Sequence, residues 1–378
     1  LRQGESDAIL PGDRLRLMAK KKTTSATSET AQPPAGKGKI VKQMAVIDGE
    51  LLSLLNRRAE FAQQSDSNLA AVQIDLATEN SGPLSERAVQ NIFREIASGC
   101  RELEKSLRVA YLGPEYTYSH LAAIHRFGQS AELVAVGTIA AVFEQVESGH
   151  AEFGIVPIEN STDGRISDTL VRLAKSPSKI CGEVPLRIHH YLLGRCKLNG
   201  VRKVYSKPQA LSQCRNWLAK HLPQATLHEL ASTTEAAVRA GKEEGAAAVA
   251  SRQAAANYEL DVLAAEIEDD PHNRTRFAVI GREPAAATGD DKTPILIEVD
   301  HRPGALADVL NVFKRKSLNM TWIESFPIPG APGRYLFFVE LQGHQSDLRV
   351  RRAISLLENK TQRLEILGSY PRAEPVGA

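Results

Sequence analysis

The stretch RVAYLGPEYTYSHLAAIHRF, residues 108–127, decides the fold class of this 378-residue chain. It begins with a short apolar run that suits a buried strand, and it ends with apolar residues at helical spacing. The same order of strand and then helix recurs over residues 132–148, 152–174, 201–222 and 225–243. Because strands that alternate with amphipathic helices indicate a parallel sheet with helices on its faces, we predict an α/β region built of two lobes.

The segments on both sides of this region have different patterns of apolar residues. Residues 40–64 and 83–107 repeat apolar residues at helical spacing and predict two amphipathic helices, which alone indicate a bundle or a dimer arm. After a linker over residues 282–292, residues 293–370 predict the order strand, helix, strand, strand, helix, strand, which is the ferredoxin-like arrangement. Residues 1–38 are polar and lack an apolar period, so we expect a disordered tail in which Met18 is an alternative start.

Charge and apolar content restrict the class of partner. Lys and Arg total 47 against 45 for Asp and Glu, and no basic stripe follows residue 42, which argues against nucleic acid and membrane surfaces. No run approaches the roughly 18 consecutive apolar residues of a transmembrane helix. We therefore expect a cytoplasmic protein with a small-molecule partner.

The cysteine and histidine pattern gives no sign of a metal site. The four cysteines lie far apart without a C-x-x-C pair, so free thiols are expected rather than disulfides or zinc ligands. His189, His190 and Cys196 also lack the spacings typical of zinc sites. We predict no metal and no cofactor.

Polar residues collect where predicted strands pass into helices. Each one alone is a good helix N-cap, and Ser232 with Glu235 has capping-box spacing. Together they indicate more, because helix N-termini bind anions and ligands of open parallel sheets bind beyond the carboxyl ends of the strands. A cleft between the lobes is thus predicted to hold a small dicarboxylate, with these candidate residues: Thr117, Ser119, Asn160, Ser161, Thr162, Ser206, Ser232 and Thr233.

A further loop, EDDPHNRTRF over residues 268–277, leads from the second lobe into an apolar strand. Asp, Pro and Asn are ordinary turn residues, so a plain surface connection is one interpretation. The other is that Asn273, Thr275 and Arg276 cross the predicted cleft as binding groups, since binding residues concentrate on loops.

Nine runs in a fixed order resemble one enzyme family. They are VAYLGPEYTYSHLAA (109–123), FGIVPIENSTDGRI (153–166), YSKPQALSQCRNWL (205–218), ASTTEAA (231–237), IEDDPHNRTRF (267–277), RPGALADVL (302–310), IESFP (323–327), YLFFVELQGH (335–344) and LGSYP (367–371). Over residues 108–373 the chain resembles prephenate dehydratase with a C-terminal ACT regulatory domain. The N-terminal helices resemble the chorismate mutase domain of bifunctional proteins.

The resemblance implies boundaries and an activity. It implies a mutase-like domain over residues 39–106, a two-lobed dehydratase of the periplasmic-binding-protein type over residues 107–283, and an ACT domain over residues 293–373. The expected reaction turns prephenate into phenylpyruvate without a cofactor, with phenylalanine as effector, in a homodimer or homotetramer.

Residue roles are implied in the same way. Thr275 is the expected catalytic hydroxyl. The expected substrate-binding residues are Thr117, Ser119, Glu159, Asn160, Ser161, Thr162, Ser232, Thr233, Asn273, Arg276 and Phe277. Arg276 suits a carboxylate because a guanidinium matches its geometry, although an arginine that only anchors the loop is an equal alternative. The expected effector site lies at an interface between two ACT domains and comprises Gly304, Ala305, Leu306, Ala307, Glu324 and Ser325.

Three positions depart from the family pattern. Tyr116 replaces a glycine, which predicts a narrowed loop or a φ below zero. Lys207 replaces a histidine, so no role is assigned to it. Phe326 replaces an arginine, which predicts weakened or redirected coupling between effector and catalysis.

The mutase-like segment retains few of its expected cations. Arg58 and Glu104 match family positions, but no basic residue lies between Arg58 and Arg87. We therefore expect little or no mutase activity, with an active mutase as the alternative. Two further alternatives are an arogenate dehydratase and a non-catalytic binding protein that senses an amino acid.

Overall fold

The structure is a computed structural model that describes residues 37–64, 80–104, 106–162, 164–328, 331 and 334–377. The predicted tail therefore lies outside the described residues, apart from its last two positions. The chain divides into two compact units between Arg57 and Arg58.

The first unit contributes most of helix α1 (Lys37–Gln64). Large apolar side chains of this helix are exposed: Ile40, Val41, Met44, Val46, Ile47, Leu51, Leu52, Leu54 and Leu55. The second predicted helix is α2 (Glu86–Glu104), in the second unit. Both helices that the apolar spacing predicts are present.

The second unit begins its α/β region with a seven-stranded sheet, which we call the first lobe. Its strands are β1 (Arg108–Leu112), β2 (Glu132–Val136), β3 (Phe153–Asn160), β4 (Gly164–Arg165), β5 (Lys179–Arg187), β11 (Arg274–Gly281) and β17 (Val376–Gly377). Helices α3 (Tyr118–Phe127), α4 (Ile139–Glu147) and α5 (Ser167–Leu173) connect them. β1 is parallel to both β2 and β3, whereas β11 returns antiparallel between β3 and β5.

The second lobe is a five-stranded sheet of order β10-β6-β9-β7-β8. Its elements are β6 (Tyr191–Gly194), β7 (Lys203–Ser206), α6 (Pro208–Gln213), α7 (Arg215–His221), β8 (Thr226–Glu229), α8 (Thr233–Ala240), β9 (Ala246–Ala250), α9 (Arg252–Asn257) and β10 (Asp261–Ala264). A stripe of buried alanines on β9 lets α8 pack closely on this sheet.

Two adjacent segments connect the lobes. The chain leaves the first lobe after Arg187 and returns at Asn273, and there the amide of Ile188 donates to the carbonyl of Asn273 at 2.8 Å. The amide of Ile267 donates in turn to the carbonyl of His190 at 2.9 Å. This pairing brings the predicted loop of residues 268–277 to the junction of the two lobes.

The last domain is a sandwich of one sheet and two helices. Its elements are β12 (Asp291–Glu298), α10 (Ala305–Arg315), β13 (Met320–Pro327), β14 (Tyr335–Gln342), α11 (Leu348–Glu358), β15 (Arg363–Ile366) and β16 (Tyr370–Pro371), with sheet order β13-β14-β12-β15. This order is ferredoxin-like, as predicted. The two-lobed α/β fold class with flanking helical and ferredoxin-like parts is confirmed.

Alternate residues of β14 pack in opposite directions. Val339 and Leu341 join α10 and α11 in one apolar cluster. Leu336 and Phe338 join Ala278 and other residues of the first lobe in another. The ferredoxin-like sheet is therefore covered by its own helices on one face and by the first lobe on the other. None of the described helices is both long enough and apolar enough to cross a membrane.

Candidate active site

The predicted catalytic hydroxyl lies opposite a predicted amide on neighbouring strands. Thr275 of β11 pairs with Asn160 of β3 in the antiparallel register. The Nδ2 of Asn160 donates to the Oγ1 of Thr275 at 2.8 Å. Because this bond uses the oxygen of Thr275 as acceptor, its own hydrogen remains available as a donor to a bound molecule.

A chain of amides extends from this pair across the lobe junction. Gln213, at the end of α6, accepts at Oε1 from the Nδ2 of Asn273 at 2.9 Å. Its Nε2 donates to the Oδ1 of Asn160 at 3.4 Å. Gln213 thus connects the second lobe to both strands that carry the predicted site. Nothing in the local sequence marks Gln213 as a site residue, because a glutamine inside a helix carries no turn or cap signal.

His190 orients Gln213. Its Nε2 lies 2.9 Å from the Oε1 of Gln213, and its Nδ1 lies 3.3 Å from the hydroxyl of Tyr118. Burial lowers the pKa of His190 below its usual value and raises that of Tyr118 well above its usual value. Both groups are therefore neutral near pH 7, so the network that supports Thr275 consists of uncharged dipoles.

A cavity of about 210 Å³ lies beside this network. It is lined by Thr162, Ser212, Gln213, Asp269, Asp270 and Asn273. The Asp269 carboxylate accepts from the amides of Asn216 and Trp217 at 2.9 and 3.1 Å. That of Asp270 accepts from the amide of His272 at 2.8 Å. Both carboxylates therefore hold the loop in shape around the cavity.

The predicted residues of the β3 loop lie with the amides. The Oδ1 of Asn160 accepts from the amide of Thr162 at 2.9 Å, and the hydroxyl of Thr162 lies 3.5 Å from the Oδ1 of Asn273. Ser161 accepts from the amide of Arg274 at 3.0 Å. Asn160, Ser161, Thr162, Asn273 and Thr275 are thus brought together.

Most of the predicted residues at helix N-termini form hydrogen bonds within their own lobe. The hydroxyl of Thr117 donates to the carbonyl of Pro114 at 2.8 Å. Ser232 caps α8 by accepting from the amide of Glu235 at 3.0 Å, as its spacing predicts. The hydroxyl of Ser206 is buried and donates to the carbonyl of Val249 at 2.6 Å. Ser119 and Thr233 are also buried.

The N-termini of α8 and α9, in the second lobe, nevertheless contact the loop that precedes α3 in the first lobe. Thr234, in the first turn of α8, donates from its hydroxyl to the carbonyl of Glu115 at 2.8 Å. Ser251 donates in the same way to the carbonyl of Tyr116 at 3.1 Å. The loop before α3 is therefore anchored to the second lobe, beside two helix ends that suit an anion.

Tyr116 differs from its prediction. Its φ is 63°, so the expectation of a φ below zero is wrong. A non-glycine residue in the left-handed region costs roughly 1–2 kcal/mol. Compensating contacts are present: its amide donates to the Nδ1 of His120 at 3.0 Å, and its ring packs edge-on against those of His120 and Tyr258. Lys207, the second departure, is exposed at the N-terminus of α6.

Three predicted binding residues do not lie in the cleft. Arg276 points to the opposite face of the first-lobe sheet, where its Nη2 lies 2.6 Å from the Oε2 of Glu340 in the ferredoxin-like domain. Glu159 lies on that face too, 3.4 Å from the Nη1 of Arg276. Phe277 is buried in the core with Tyr111 and Val279. Successive residues of a strand face opposite sides of the sheet, so Thr275 and Arg276 cannot both point into one cleft.

The ferredoxin-like domain carries a larger cavity of about 580 Å³. Its lining includes the predicted Gly304, Ala305, Leu306 and Ala307, together with Val299, Asp300, His301, Arg302, Pro303, Arg334, Tyr335 and Phe337. Gly304 has a φ of 82° and caps α10, which explains the glycine. Glu324 and Ser325 lie on β13 and are not among these lining residues, whereas Arg334 was missed.

The remaining predictions concern metals and the mutase-like segment. Within the described ranges, no group of three or more His, Cys, Asp or Glu residues is placed to hold a metal ion. Arg58 donates from Nη1 to the Sγ of Cys100 at 3.0 Å. The side chain of Glu104 and the segment of residues 65–79 lie outside the described residues.

A family model described as prephenate dehydratase matches residues 109–285. The two-lobed fold, its polar junction and this match define the chain as a dehydratase of that class. A bifunctional chorismate mutase/prephenate dehydratase of Aquifex aeolicus is 41% identical over 350 residues, which cover 88% of this chain and 97% of the relative. The chain belongs to the bifunctional chorismate mutase/prephenate dehydratase family.

Two solved structures are similar. A prephenate dehydratase from Arthrobacter aurescens in complex with L-Phe has a TM-score of 0.66 and 31% identity, covering 71% of this chain and 92% of that one. GqqA, described as a novel type of quorum quenching acylase, has a TM-score of 0.64 and 29% identity, covering 70% and 98%. Because one architecture serves differently described proteins, the reaction has to be argued from the site.

Proposed function

We propose that this chain converts prephenate into phenylpyruvate, carbon dioxide and water at the lobe junction. The observation that carries the proposal is the 2.8 Å bond in which Asn160 donates to Thr275. It leaves the Thr275 hydroxyl free to donate a hydrogen bond, which is what a departing hydroxyl group requires. Membership of the dehydratase family supports the same reaction.

The chemistry needs a positioned donor more than a strong acid or base. Cleavage of the bond between the ring and its carboxylate releases carbon dioxide and leaves an electron pair in the ring. That pair aromatises the ring and breaks the carbon–oxygen bond on its opposite side. Thr275 passes its hydroxyl proton to the departing hydroxide, which thereby becomes water, and Thr275 regains a proton from solvent. The ring's gain in aromaticity drives the step, so the protein mainly orients the reacting groups.

The two substrate carboxylates require donors at the ends of the cleft. We propose backbone N–H groups at the N-termini of α3 and α8, near Thr117, Ser119, Ser232 and Thr233, and side chains of the amide network as these donors. Glu159, Arg276 and Phe277 are left out of this set because they lie on the other face or in the core. Gln213 is added to it.

Purified protein incubated with prephenate tests the proposal. Phenylpyruvate should form, and an arogenate sample run in parallel should form phenylalanine more slowly if prephenate is the substrate. Turnover of arogenate alone would reassign the substrate. No turnover of either, with an amino acid bound tightly, would favour the non-catalytic sensor.

The ferredoxin-like domain is proposed to be an ACT domain that binds phenylalanine in the cavity at Gly304. Two features support this. The backbone N–H groups of the first turn of α10 suit a carboxylate, and the cavity walls include Leu306 and Phe337, which suit an aromatic side chain. The structural relative in complex with L-Phe gives further support.

Phenylalanine should therefore inhibit dehydratase activity in a titration. Gly304→Ala should raise the inhibitory concentration about tenfold, because relief of the strain of an alanine at a φ of 82°, roughly 1–2 kcal/mol, displaces the backbone N–H groups at the start of α10 that bind the carboxylate. The matched control is Gly289→Ala, which imposes the same kind of strain at a φ of 99° in the linker and should leave inhibition unchanged. Insensitivity of the parent protein to millimolar phenylalanine would remove this regulation.

We propose that the mutase-like segment is nearly inactive. Chorismate rearrangement needs several cations to hold a dicarboxylate in its transition state, and Arg58 is the main one that the segment retains. Chorismate should disappear at close to the uncatalysed rate at high protein concentration. A much faster reaction that Arg58→Ala abolishes would show that the mutase is active.

The remaining assignments are proposals of the same kind. The exposed apolar side chains of α1 support a homodimer or homotetramer, because a monomer rarely exposes so large an apolar patch. Sedimentation equilibrium would show a single protomer mass if this is wrong. The domain boundaries 39–106, 107–283 and 293–373 and a cytoplasmic location are retained as proposals.

A further inference from the structure

Arg276 lies one residue from the proposed catalytic hydroxyl, yet it binds the ferredoxin-like domain. Its Nη1 and Nη2 both approach the carboxylate of Glu340 on β14, at 3.4 and 2.6 Å. Its guanidinium carbon lies 4.9 Å from the centre of the Trp322 ring on β13. Glu340 therefore holds the guanidinium in its plane, and the Trp322 ring holds it from one face. A flexible surface contact would not fix its orientation in this way.

Glu340 is also fixed by residues of its own domain. Its carboxylate is fully buried and accepts from the hydroxyls of Thr321 at 2.6 Å and Tyr370 at 2.5 Å. Burial by itself would raise the pKa of Glu340, but Arg276, Lys292 and these hydrogen bonds lower it below its usual value. The carboxylate is therefore ionised whenever Arg276 is in place.

Lys292 extends the cluster back to the first lobe. Its Nζ lies 2.8 Å from Glu183 of β5 and 3.7 Å from Glu340. Glu183 in turn lies 3.5 Å from the Nε of Arg276. The ion cluster, which comprises Arg276, Glu340, Lys292, Glu183 and Glu159, therefore ties five strands of two domains together.

The stability of the interface between the two domains does not require this ion cluster. Leu336 and Phe338 of β14 already pack against Ala278 and Ile280 of β11 on the same interface. A buried ion pair is often no more stabilising than apolar residues of similar size, because both charges lose their hydration. What a charged pair adds is a fixed geometry between the two strands.

One strand joins the ion cluster to the effector cavity. Tyr335 and Phe337, at the start of β14, line the cavity that Gly304 borders. Glu340 lies three residues further, about 10 Å along the strand. A shift of β14 that accompanies binding in the cavity would therefore move Glu340, and with it Arg276 and the cleft end of β11.

We propose that Arg276 is a positioning residue whose pair with Glu340 holds Thr275 in place against Asn160, and that β14 transmits occupancy of the Gly304 cavity to Thr275 through this pair. The inference rests on the proposed dehydratase function and deepens it. It gives the residue beside the catalytic threonine a regulatory role on the opposite face of the sheet.

A double-mutant cycle tests the positioning role. Arg276→Lys keeps the charge but loses the two-pronged contact with Glu340. We expect kcat for prephenate to fall about tenfold or more, with KM changed less than about threefold. In a Thr275→Ala background the same substitution should change kcat less than about twofold, because there is no hydroxyl left to position.

The control is Arg363→Gln, since Arg363 of β15 also contacts the first lobe, at the carbonyl of Ala174, without touching β11. It should leave kcat and inhibition as in the parent. Thr321→Val removes one hydrogen bond from Glu340 and serves as a milder variant if Arg276→Lys unfolds. Its effect on kcat should be smaller than that of Arg276→Lys and should also vanish in the Thr275→Ala background.

The transmission role has its own measurement. Calorimetric binding of phenylalanine to Glu340→Gln should stay within about threefold of the parent, while inhibition of kcat by phenylalanine should be largely lost. Equal losses in both Thr275 backgrounds would overturn the positioning role, and full inhibition in Glu340→Gln would overturn transmission. An inactive parent protein would instead refute the proposed function, before any variant is made.

Discussion

Replacing Thr275 by alanine is expected to lower kcat for prephenate by roughly two to four orders of magnitude, the range for loss of a positioned proton donor. The hydroxyl accepts from Asn160 and so presents its hydrogen to the departing oxygen, and alanine offers no substitute. Because Thr275 lies near the beginning of β11, the fold and much of the binding affinity should survive. Steady-state kinetics with phenylpyruvate formation as the signal measures both kcat and KM.

Two companion substitutions separate the hydroxyl from the shape of the side chain. Thr275→Ser keeps the donor and should retain more activity than alanine. Thr275→Val keeps the branched shape that suits a strand and should be as inactive as alanine. A valine or alanine variant that turns over prephenate at the parent rate would show that Thr275 is not the donor.

Asn160→Asp is expected to lower kcat by about a hundredfold or more. The aspartate keeps the oxygen that accepts from the amide of Thr162, but it replaces the Nδ2 donor by a second acceptor. The Thr275 hydroxyl would then donate to that carboxylate instead of to substrate, and the new charge would repel a dicarboxylate. KM should therefore rise while kcat falls, in contrast to the Thr275 variants.

Asn199→Asp is the matched control, because it adds the same charge at an exposed position of the second lobe. It should leave both constants near the parent values. If Asn160→Asp and Asn199→Asp behaved alike, the bond between Asn160 and Thr275 would have no part in catalysis.

The sequence was sufficient to predict the fold and to predict which polar residues meet at the junction of the lobes. Alternating strands and helices predicted the two lobes, and the polar residues after β3 and before β11 predicted the cluster of Asn160, Thr162, Asn273 and Thr275. The polar residues could be predicted to lie together for a physical reason. The strand ends of an open sheet converge at one edge, so local patterns indicate which residues lie near one another there.

Arg276 and Phe277 show where such reasoning stops. A motif read as a string assigns three neighbours to one function, whereas the strand turns Arg276 to the face opposite Thr275. Phe277 follows a register shift in the pairing with β3 and is buried in the core. Period 2 alone would separate Arg276 from Thr275. The partner of Arg276 is Glu340 of the ferredoxin-like domain, 64 residues further along the chain, and no local pattern predicts that contact.

Neither the role of Gln213 nor the backbone conformation of Tyr116 could be predicted from the local sequence. Gln213 acquires its role from His190 and Asn273, which are distant in sequence and meet it only after both lobes have formed. Tyr116 keeps a backbone conformation that glycine usually adopts, because contacts with Tyr258 and Ser251 of the second lobe hold it there. In both cases long-range packing overrides the local preference.

The two segments that connect the lobes also have a consequence for synthesis. The second lobe takes all its strands from one continuous stretch, residues 191–264, whereas the first lobe needs β11, which begins at Arg274, between β3 and β5. On a translating ribosome the inserted lobe can complete its sheet while β3 and β5 still lack the strand that lies between them. Thr275 and Asn160 are therefore joined only after the second lobe is already available, so that the site is assembled around a finished partner.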